Sequence, residues 1–190
     1  MLKKQMELLM NEQVNVALLD VEKAYVKKHA TLSDENITET TTLPVDVIER
    51  CDKETEELLA EETASFLAMP VHYLKEHPNE FLYVASERLD VIRVESFALE
   101  FDEMFGVYSA LFGLRLQKKQ SEFLHTYLKA HLQHEKMTYS MIFAEKDGLW
   151  DVNIALDALG EFSEEASFDE VLARLYRLIF ALLEELEDTV

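Results

Sequence analysis

Two histidine motifs in this sequence have the spacing of metal-binding helices. In Glu122-Phe-Leu-His125 the carboxylate and the imidazole are three residues apart, so a helix places both on one face. Carboxylate-bridged metal sites use this motif twice, and the chain contains it once. His131 and His134 have the same spacing beside Glu135, but two imidazoles make a weak site. We therefore favour the alternative for both motifs, a solvated helix surface, and predict no metal.

The single cysteine, Cys51, precedes a segment that we predict to be helical. A helix N-terminus lowers the pKa of a thiol and makes it nucleophilic. Glu49, Asp52 and Glu54 oppose this effect by their negative charge. A buried, inert thiol is the interpretation that we favour over a reactive one.

Three further side chains are candidates for ligand binding. Arg93 and Arg115 fall among acidic residues, where they could hold a carboxylate ligand or pair with Glu95 or Glu100. Trp150 could stack on a ligand, but an inward hairpin tryptophan more often belongs to a core. The chain shows no Ser-His-Asp ordering, no phosphate-binding glycine loop and no distinctive carboxylate pair. We predict no catalytic residue and no cofactor.

The charge of the chain is strongly negative and unevenly distributed. The 190 residues contain 18 Lys and Arg against 38 Asp and Glu, a net charge of −20. Residues 1–30 hold five lysines and four acids, so the other residues carry −21. Such a charge repels nucleic acid and anionic membrane surfaces, whereas a basic or amphipathic protein partner is compatible with it.

Residue usage indicates a cytoplasmic protein that contains no disulfide. One cysteine excludes an internal disulfide, and no secretory signal or run of eighteen apolar residues is present. The 4 Gly and 3 Pro argue against a loop-rich fold. A hydrophobic content of 48% is sufficient for a sizeable core.

The best-defined elements lie between Met137 and Leu186. Apolar residues alternate in Tyr139–Phe143 and again in Trp150–Leu156, with a turn at Gly148 between them, which predicts an antiparallel hairpin. Ser167 and Glu170 fit the capping box of a long helix. That helix has a broad apolar stripe, which we predict to be an interaction surface formed by Leu172, Leu175, Ile179, Leu183 and Leu186.

The rest of the chain is less regular. We predict a helix over residues 1–30, a polar linker over 31–51, a helix from Lys53 to about Ala68 and a short helix over 71–76. Residues 89–116 fit either helix or strand, and their β-branched and aromatic content favours two strands around Gly106. Residues 118–133 have the spacing of a helix.

The segment from Leu89 to Leu186 resembles a known family pattern. A strand ending in Phe-Ala-Glu-Lys-Asp-Gly148, a second strand over 149–156, an acidic link and a leucine-rich helix are similar to YbjN-like proteins and to the type III secretion chaperone fold. The resemblance implies a small acidic dimer that holds another protein through an apolar groove. The long N-terminal helix and the Thr-rich linker depart from that pattern.

Two other runs look like an uncharacterised bacterial family whose members sometimes carry a branched-chain aminotransferase label. They are Cys51–Leu59 and Tyr108–Lys119. A pyridoxal enzyme needs a Schiff-base lysine and a glycine-rich phosphate cup, and the sequence lacks such glycine-rich turns. We therefore do not adopt the aminotransferase activity.

These patterns predict an α+β fold with an antiparallel sheet of about five strands and helices packed on it. The order is helix, strands, helix, hairpin, helix, with a long N-terminal helix and an α+β domain over residues 52–190. We expect a cytoplasmic protein-interaction module of chaperone or adaptor type, without catalysis, that binds a protein partner or itself as a homodimer. The alternative is a small-ligand-binding protein or enzyme with a pocket between the sheet and the helices.

Overall fold

The computed structural model describes residues 2–12, 16–29, 37–132 and 138–189. Within them, short 3-10 helices occupy Ala64–Ala68, Glu87–Ile92, Lys118–Gln120 and Leu156–Ala158. The α-helices are α1 (Leu2–Glu12), α2 (Asp20–His29), α3 (Tyr73–Glu76), α4 (Ser121–His131) and α5 (Phe168–Thr189). The strands are β1 (Val16–Leu18), β2 (Ile37–Glu39), β3 (Val47–Asp52), β4 (Leu58–Glu61), β5 (Glu80–Ala85), β6 (Ser96–Asp102), β7 (Val107–Leu114), β8 (Tyr139–Ala144) and β9 (Leu149–Ala155).

A seven-stranded antiparallel sheet with the order β4-β3-β5-β6-β7-β9-β8 forms the centre of the molecule. The predicted α+β class and antiparallel sheet are therefore confirmed, and strands lie on either side of Gly106 as predicted. The first of them begins at Ser96, and Glu87–Ile92 before it forms a 3-10 helix instead of strand. The predicted count of about five strands is too low, because β3 and β4 also belong to this sheet. No helix among the described residues is long and apolar enough to cross a membrane.

The predicted hairpin and the start of the last helix form as their turn and cap residues indicate. Gly148 has φ +70° and donates its N–H to the Ala144 carbonyl at 2.8 Å, which closes the turn between β8 and β9. At the start of α5, Ser167 N–H donates to Glu170 Oε2 at 2.8 Å and Glu170 N–H donates to Ser167 Oγ at 3.2 Å. These two reciprocal bonds are the predicted capping box.

The single N-terminal helix predicted over residues 1–30 is wrong. The strand β1 separates α1 from α2 and pairs in parallel with β2. Val16 and Leu18 are buried on either side of the half-buried Ala17, so a short alternating pattern prevails over the helical spacing. The helix restarts at Asp20, where Leu19 N–H donates to Glu22 Oε2 at 2.8 Å.

The helix predicted from Lys53 to Ala68 is also wrong, because this segment contains the turn after β3, the strand β4 and a 3-10 helix. Asp52 accepts hydrogen bonds from the N–H groups of Glu54 at 2.9 Å and Thr55 at 2.8 Å. Glu56 then adopts φ +58°, which reverses the chain. An acidic residue that accepts from the following N–H groups stabilises a tight turn as well as a helix start. The strand β3 also shows that part of the predicted polar linker lies in the sheet.

The strand register divides the sheet into two faces. We call the face that carries Leu82, Leu99 and Ala110 the inner face; these residues are fully or almost fully buried. Helices pack there: His125 of α4 contacts Tyr139 of β8, and α3 contacts β6. We call the opposite face the outer face, and its residues are mostly half-buried or exposed.

Helix α5 is covered on two sides by the chain itself. Of its 22 residues, 11 are buried, more than a helix needs to cover one sheet. The five residues of the predicted interaction surface all lie in this buried set and pack in the core of the chain itself: Leu172, Leu175, Ile179, Leu183 and Leu186.

Helix α2 packs against a second side of α5. The Tyr25 ring meets the Phe180 ring edge-on at 5.8 Å, and the Tyr25 hydroxyl donates to Glu187 Oε2 at 2.6 Å. Lys28 Nζ lies 2.9 Å from carboxylate oxygens of both Glu184 and Asp188. The N-terminal segment therefore docks on the body of its own chain.

A buried polar cluster fixes this docking. Glu22, which is fully buried, accepts two hydrogen bonds from Arg88 Nη1 at 3.0 and 2.8 Å and one from the Tyr176 hydroxyl at 2.6 Å. Arg88 Nη2 also donates to the Ala17 carbonyl at 3.0 Å. With the Leu19 N–H, three separate parts of the chain therefore donate to one carboxylate. Burial and the nearby Glu22 charge raise the pKa of Tyr176 well above its ordinary value.

We predict that Arg88→Met destabilises the protein by about 3–5 kcal/mol, because it leaves the Glu22 carboxylate buried and unpaired. Tyr176→Phe removes one hydrogen bond to the same carboxylate and should cost about 1–3 kcal/mol. Urea denaturation followed by circular dichroism measures both changes. The control is Lys23→Ala, which breaks the exposed Lys23–Glu39 pair and should cost less than about 1 kcal/mol. Equal effects of Arg88→Met and Lys23→Ala would contradict the assigned role.

Candidate functional site

The structure places the candidate metal-binding side chains in separate contacts. His125 Nδ1 lies 3.2 Å from the Tyr139 hydroxyl, and the His131 ring stacks on the Tyr127 ring with centroids 3.9 Å apart. His134 and Glu135 lie outside the described residues. Among the residues that the structure describes, no cluster of three or more His, Cys, Asp or Glu side chains is arranged to hold a metal ion.

The other candidate side chains have structural roles. Cys51 is buried in β3 instead of preceding a helix, and burial raises the pKa of its thiol, so it stays protonated. Arg115 lies 2.5 Å from a Glu95 carboxylate oxygen, as the pairing alternative predicts. Arg93 donates to the Arg115 carbonyl at 3.1 Å. Trp150 is buried against Phe143 in the core, with ring centroids 5.1 Å apart.

A pocket at one end of the inner face contains aromatic and charged side chains, and we call it the aromatic pocket. Its volume is about 490 Å³, within the range of small-ligand sites. It opens beside the β6–β7 turn and the loop between β9 and α5. It is lined by Lys75, Phe101, Gly106, Tyr108, Asp157, Phe162, Ser163 and Glu164.

Backbone contacts fix one wall of the aromatic pocket. Val71 N–H donates to the Ala166 carbonyl and His72 N–H donates to the Glu164 carbonyl, both at 2.9 Å. These bonds fix the loop before α5 against the residues that precede α3. The Glu164 carboxylate is therefore directed toward both α3 and β7.

Two hydrogen-bond donors and a nearby imidazole surround the Glu164 carboxylate. Tyr108 donates its hydroxyl hydrogen to Glu164 Oε2 at 2.8 Å, Lys75 Nζ lies 3.1 Å from the same oxygen, and His72 Nδ1 lies 3.5 Å from it. The hydrogen bonds from Tyr108 and Lys75 lower the pKa of Glu164 to about 2. Burial and the Glu164 carboxylate raise the pKa of Tyr108 above its ordinary value. The site thus holds an ionised carboxylate and a neutral phenol at neutral pH.

Sequence reasoning did not identify this pocket. Tyr108 and Glu164 are 56 residues apart, and neither belongs to a recognisable motif. Tyr108 falls in the second strand predicted around Gly106, and Glu164 falls in the acidic link before the last helix. Only the register of the sheet and the docking of that link bring the two together.

A second cavity, of about 580 Å³, lies between α1 and the 3-10 helix Glu87–Ile92. Several of its polar groups form structural hydrogen bonds. Ser86 Oγ donates to the Pro44 carbonyl at 2.6 Å, Asp46 accepts from Glu87 N–H at 2.8 Å, and Arg88 is bound to Glu22. We therefore assign this cavity to the docking of the N-terminal segment.

The outer face of the sheet carries mostly half-buried and exposed side chains. In its centre, Tyr83, Ala98 and Leu111 lie side by side across β5, β6 and β7, and all are half-buried. Leu149 lies over Gly113, where an added Cβ would be 3.4 Å from its side chain. At the edge of the sheet, Ile142 is 70% exposed. This row of apolar side chains crosses five strands.

The outer face is also acidic. The register directs five carboxylates to it, from Glu49, Glu61, Glu100, Asp102 and Asp151. Among the described residues, one basic side chain reaches them: Lys53 Nζ lies 3.7 Å from Glu100 Oε2. An apolar strip bordered by carboxylates is complementary to an apolar segment that carries basic residues.

Comparison of the chain with protein-family models, with curated proteins and with solved structures gives no significant match.

We predict that Tyr108→Phe raises the pKa of Glu164 from about 2 toward its ordinary value of 4.5, because the strongest donor to that carboxylate is lost. The depressed pKa stabilises the folded protein above pH 4.5, and this contribution disappears as the pH falls toward 2. When the pH falls from 4.5 toward 2, the variant should therefore lose less folding stability than the wild type. Carbon-13 NMR titration of the Glu164 carboxyl measures the shift.

The control for this titration is Asp52, whose pKa is lowered by hydrogen bonds from Thr55. Its titration should be the same in wild type and variant. A Glu164 titration that does not change in Tyr108→Phe would show that the phenol does not hold this carboxylate.

Proposed function

We propose that this protein is a protein-interaction module of chaperone or adaptor type, which binds a basic amphipathic segment of a partner protein on the outer face of its sheet. The observation that supports this most directly is the strand register, which directs an apolar row and five carboxylates to the same open face. The negative charge of the chain fits such a partner. We place the activity in the cytoplasm, in line with the composition.

This proposal locates the interaction surface on the outer face of the sheet and not on helix α5, where the sequence predicts it. Helix α5 uses its leucines in the core, so a partner would have to displace the body of the protein to reach them. The outer face needs no such rearrangement, because its apolar side chains are already accessible to solvent. Leu111 lies at its centre and Ile142 at its edge.

The size of the outer face favours a segment over a whole subunit. Seven strands about 4.8 Å apart span about 29 Å, and strands of five or six residues are about 18 Å long. The resulting area of about 500 Å² is smaller than the ~800 Å² per partner that stable complexes bury. A single amphipathic helix, about 10 Å in diameter, fits across such a face.

Charge also distinguishes a foreign partner from a second copy. A homodimer formed through this face would bring two sets of five carboxylates together, and like charges at an interface disfavour it. A basic segment would neutralise them instead. The homodimer expected from the sequence is therefore an alternative that the same experiment distinguishes.

We expect a fluorescein-labelled amphipathic peptide of leucine and lysine to bind the protein, and its leucine–glutamate counterpart not to bind. Fluorescence anisotropy measures both, and added salt should weaken the binding. Leu111→Ser removes apolar contact area at the centre of the face and should weaken binding by about tenfold. Leu8→Ser is the matched control, because Leu8 is an exposed leucine of α1 outside the sheet.

Amide NMR shifts on titration locate the peptide, and sedimentation velocity gives the oligomeric state. The proposal requires shift changes centred on Tyr83, Leu111 and Leu149 in a monomeric protein. Equal loss in Leu111→Ser and Leu8→Ser would overturn it. So would a dimer whose contact covers these residues.

A further inference from the structure

The aromatic pocket has the chemistry of an ammonium-binding site. The Phe101 and Tyr108 rings are 4.9 Å apart at 57°, and the Tyr108 and Phe162 rings are 5.6 Å apart at 48°. The three rings are tilted toward one another instead of being stacked, so they form a concave corner. The face of an aromatic ring carries partial negative charge and attracts a cation within about 6 Å.

The chain already places one ammonium group against this corner. Lys75 Nζ lies 5.9 Å from the centroid of the Phe101 ring and 3.1 Å from Glu164 Oε2. This is the combination of ring and carboxylate that binds an alkylammonium ion. The Lys75 side chain is half-exposed, so its ammonium group can move away into solvent.

Among the described residues that line the pocket, two are acidic and one is basic. Glu164, Asp157 and Glu165 are all close enough to the Tyr108 phenol to act on its ionisation. Lys75 is the basic residue that lines the pocket, and Asp157 and Glu164 line it too. A second cation would therefore meet a negative potential in a pocket with aromatic walls.

We propose that the aromatic pocket binds an alkylammonium group, held by the rings of Phe101, Tyr108 and Phe162 and by the carboxylate of Glu164, at the position next to the Lys75 ammonium. Primary amines on short aliphatic chains are the ligand class that fits. The ammonium belongs either to a free amine or to a lysine side chain of a polypeptide. This inference does not depend on the outer face.

The β6–β7 turn beside the pocket has exposed apolar residues that could contact a polypeptide whose lysine occupies the pocket. Met104 is 86% and Phe105 is 72% exposed, and both precede Gly106, which lines the pocket. Asp102 accepts hydrogen bonds from Met104 N–H at 2.8 Å and from Phe105 N–H at 3.1 Å, which fixes the turn. Two apolar side chains are thus presented to solvent near the mouth, where the residues that flank a bound lysine would contact them.

The test uses n-butylammonium as the probe and butan-1-ol as its neutral counterpart, with binding followed by amide NMR shifts of the full chain. We expect saturable shifts around Tyr108 and Phe162 with butylammonium, and much weaker shifts with butan-1-ol. Phe162→Leu keeps an apolar side chain but removes the ring, and should weaken binding roughly two- to fivefold. Equal binding of the two probes would overturn the proposal.

The second test measures a gain of affinity for butylammonium, which a misfolded variant would not show. Lys75→Met removes the resident ammonium and should tighten butylammonium binding about threefold, the repulsion of two unit charges about 6 Å apart in water. The matched control is Lys118→Met, because Lys118 also lies against a ring, 5.7 Å from the centroid of Phe143, and pairs with Glu145. Equal affinities in Lys75→Met and wild type would overturn the proposal.

A capped peptide with one lysine between apolar residues distinguishes the two sources. If the ligand is a lysine side chain, the peptide binds more tightly than butylammonium, and Phe105→Ser removes only that advantage. If the ligand is a free amine, the peptide binds no more tightly, and Phe105→Ser changes neither affinity. Both results support an ammonium site, whereas a peptide with norleucine in place of lysine must lose binding.

Discussion

The structure depends on how α5 is buried, because its apolar residues lie on more than one side of the helix. Half of its residues are buried, and a single sheet covers only one side of a helix. The leucine side packs in the core, while Tyr176, Phe180 and Glu184 face α2 instead. The N-terminal segment therefore completes the core of the protein.

This arrangement accounts for the uneven charge of the chain. Two of the five lysines in residues 1–30 form ion pairs within the molecule, because Lys28 pairs with Glu184 and Asp188, and Lys23 pairs with Glu39. At the centre of the docking surface, the cation comes from the body and the anion from α2, as Arg88 and Glu22. A buried ion pair of this kind stabilises little by itself, but its partners are costly to separate, so it specifies one docking position.

The sequence predicts the elements whose signals are local. The β8–β9 hairpin follows from alternation and Gly148, and the start of α5 follows from its capping box. The errors occur where one local signal fits two structures. Asp52 satisfies N–H groups in a turn as it would at a helix start, and Val16–Leu18 is too short for its alternation to stand out. The sequence also cannot show that α2 and the sheet bury the predicted leucine surface.

The two proposed sites follow from the same packing. Because the helices described here gather on the inner face, the outer face keeps its apolar row accessible, and its carboxylates have few cations nearby. The aromatic pocket lies where the inner layer ends, and there the link before α5 brings Glu164 to Tyr108. Both sites lack a sequence motif because each is assembled by sheet register from residues far apart in the chain. In both, negative charge adjoins apolar or aromatic side chains, so basic groups are the ligands that each would select.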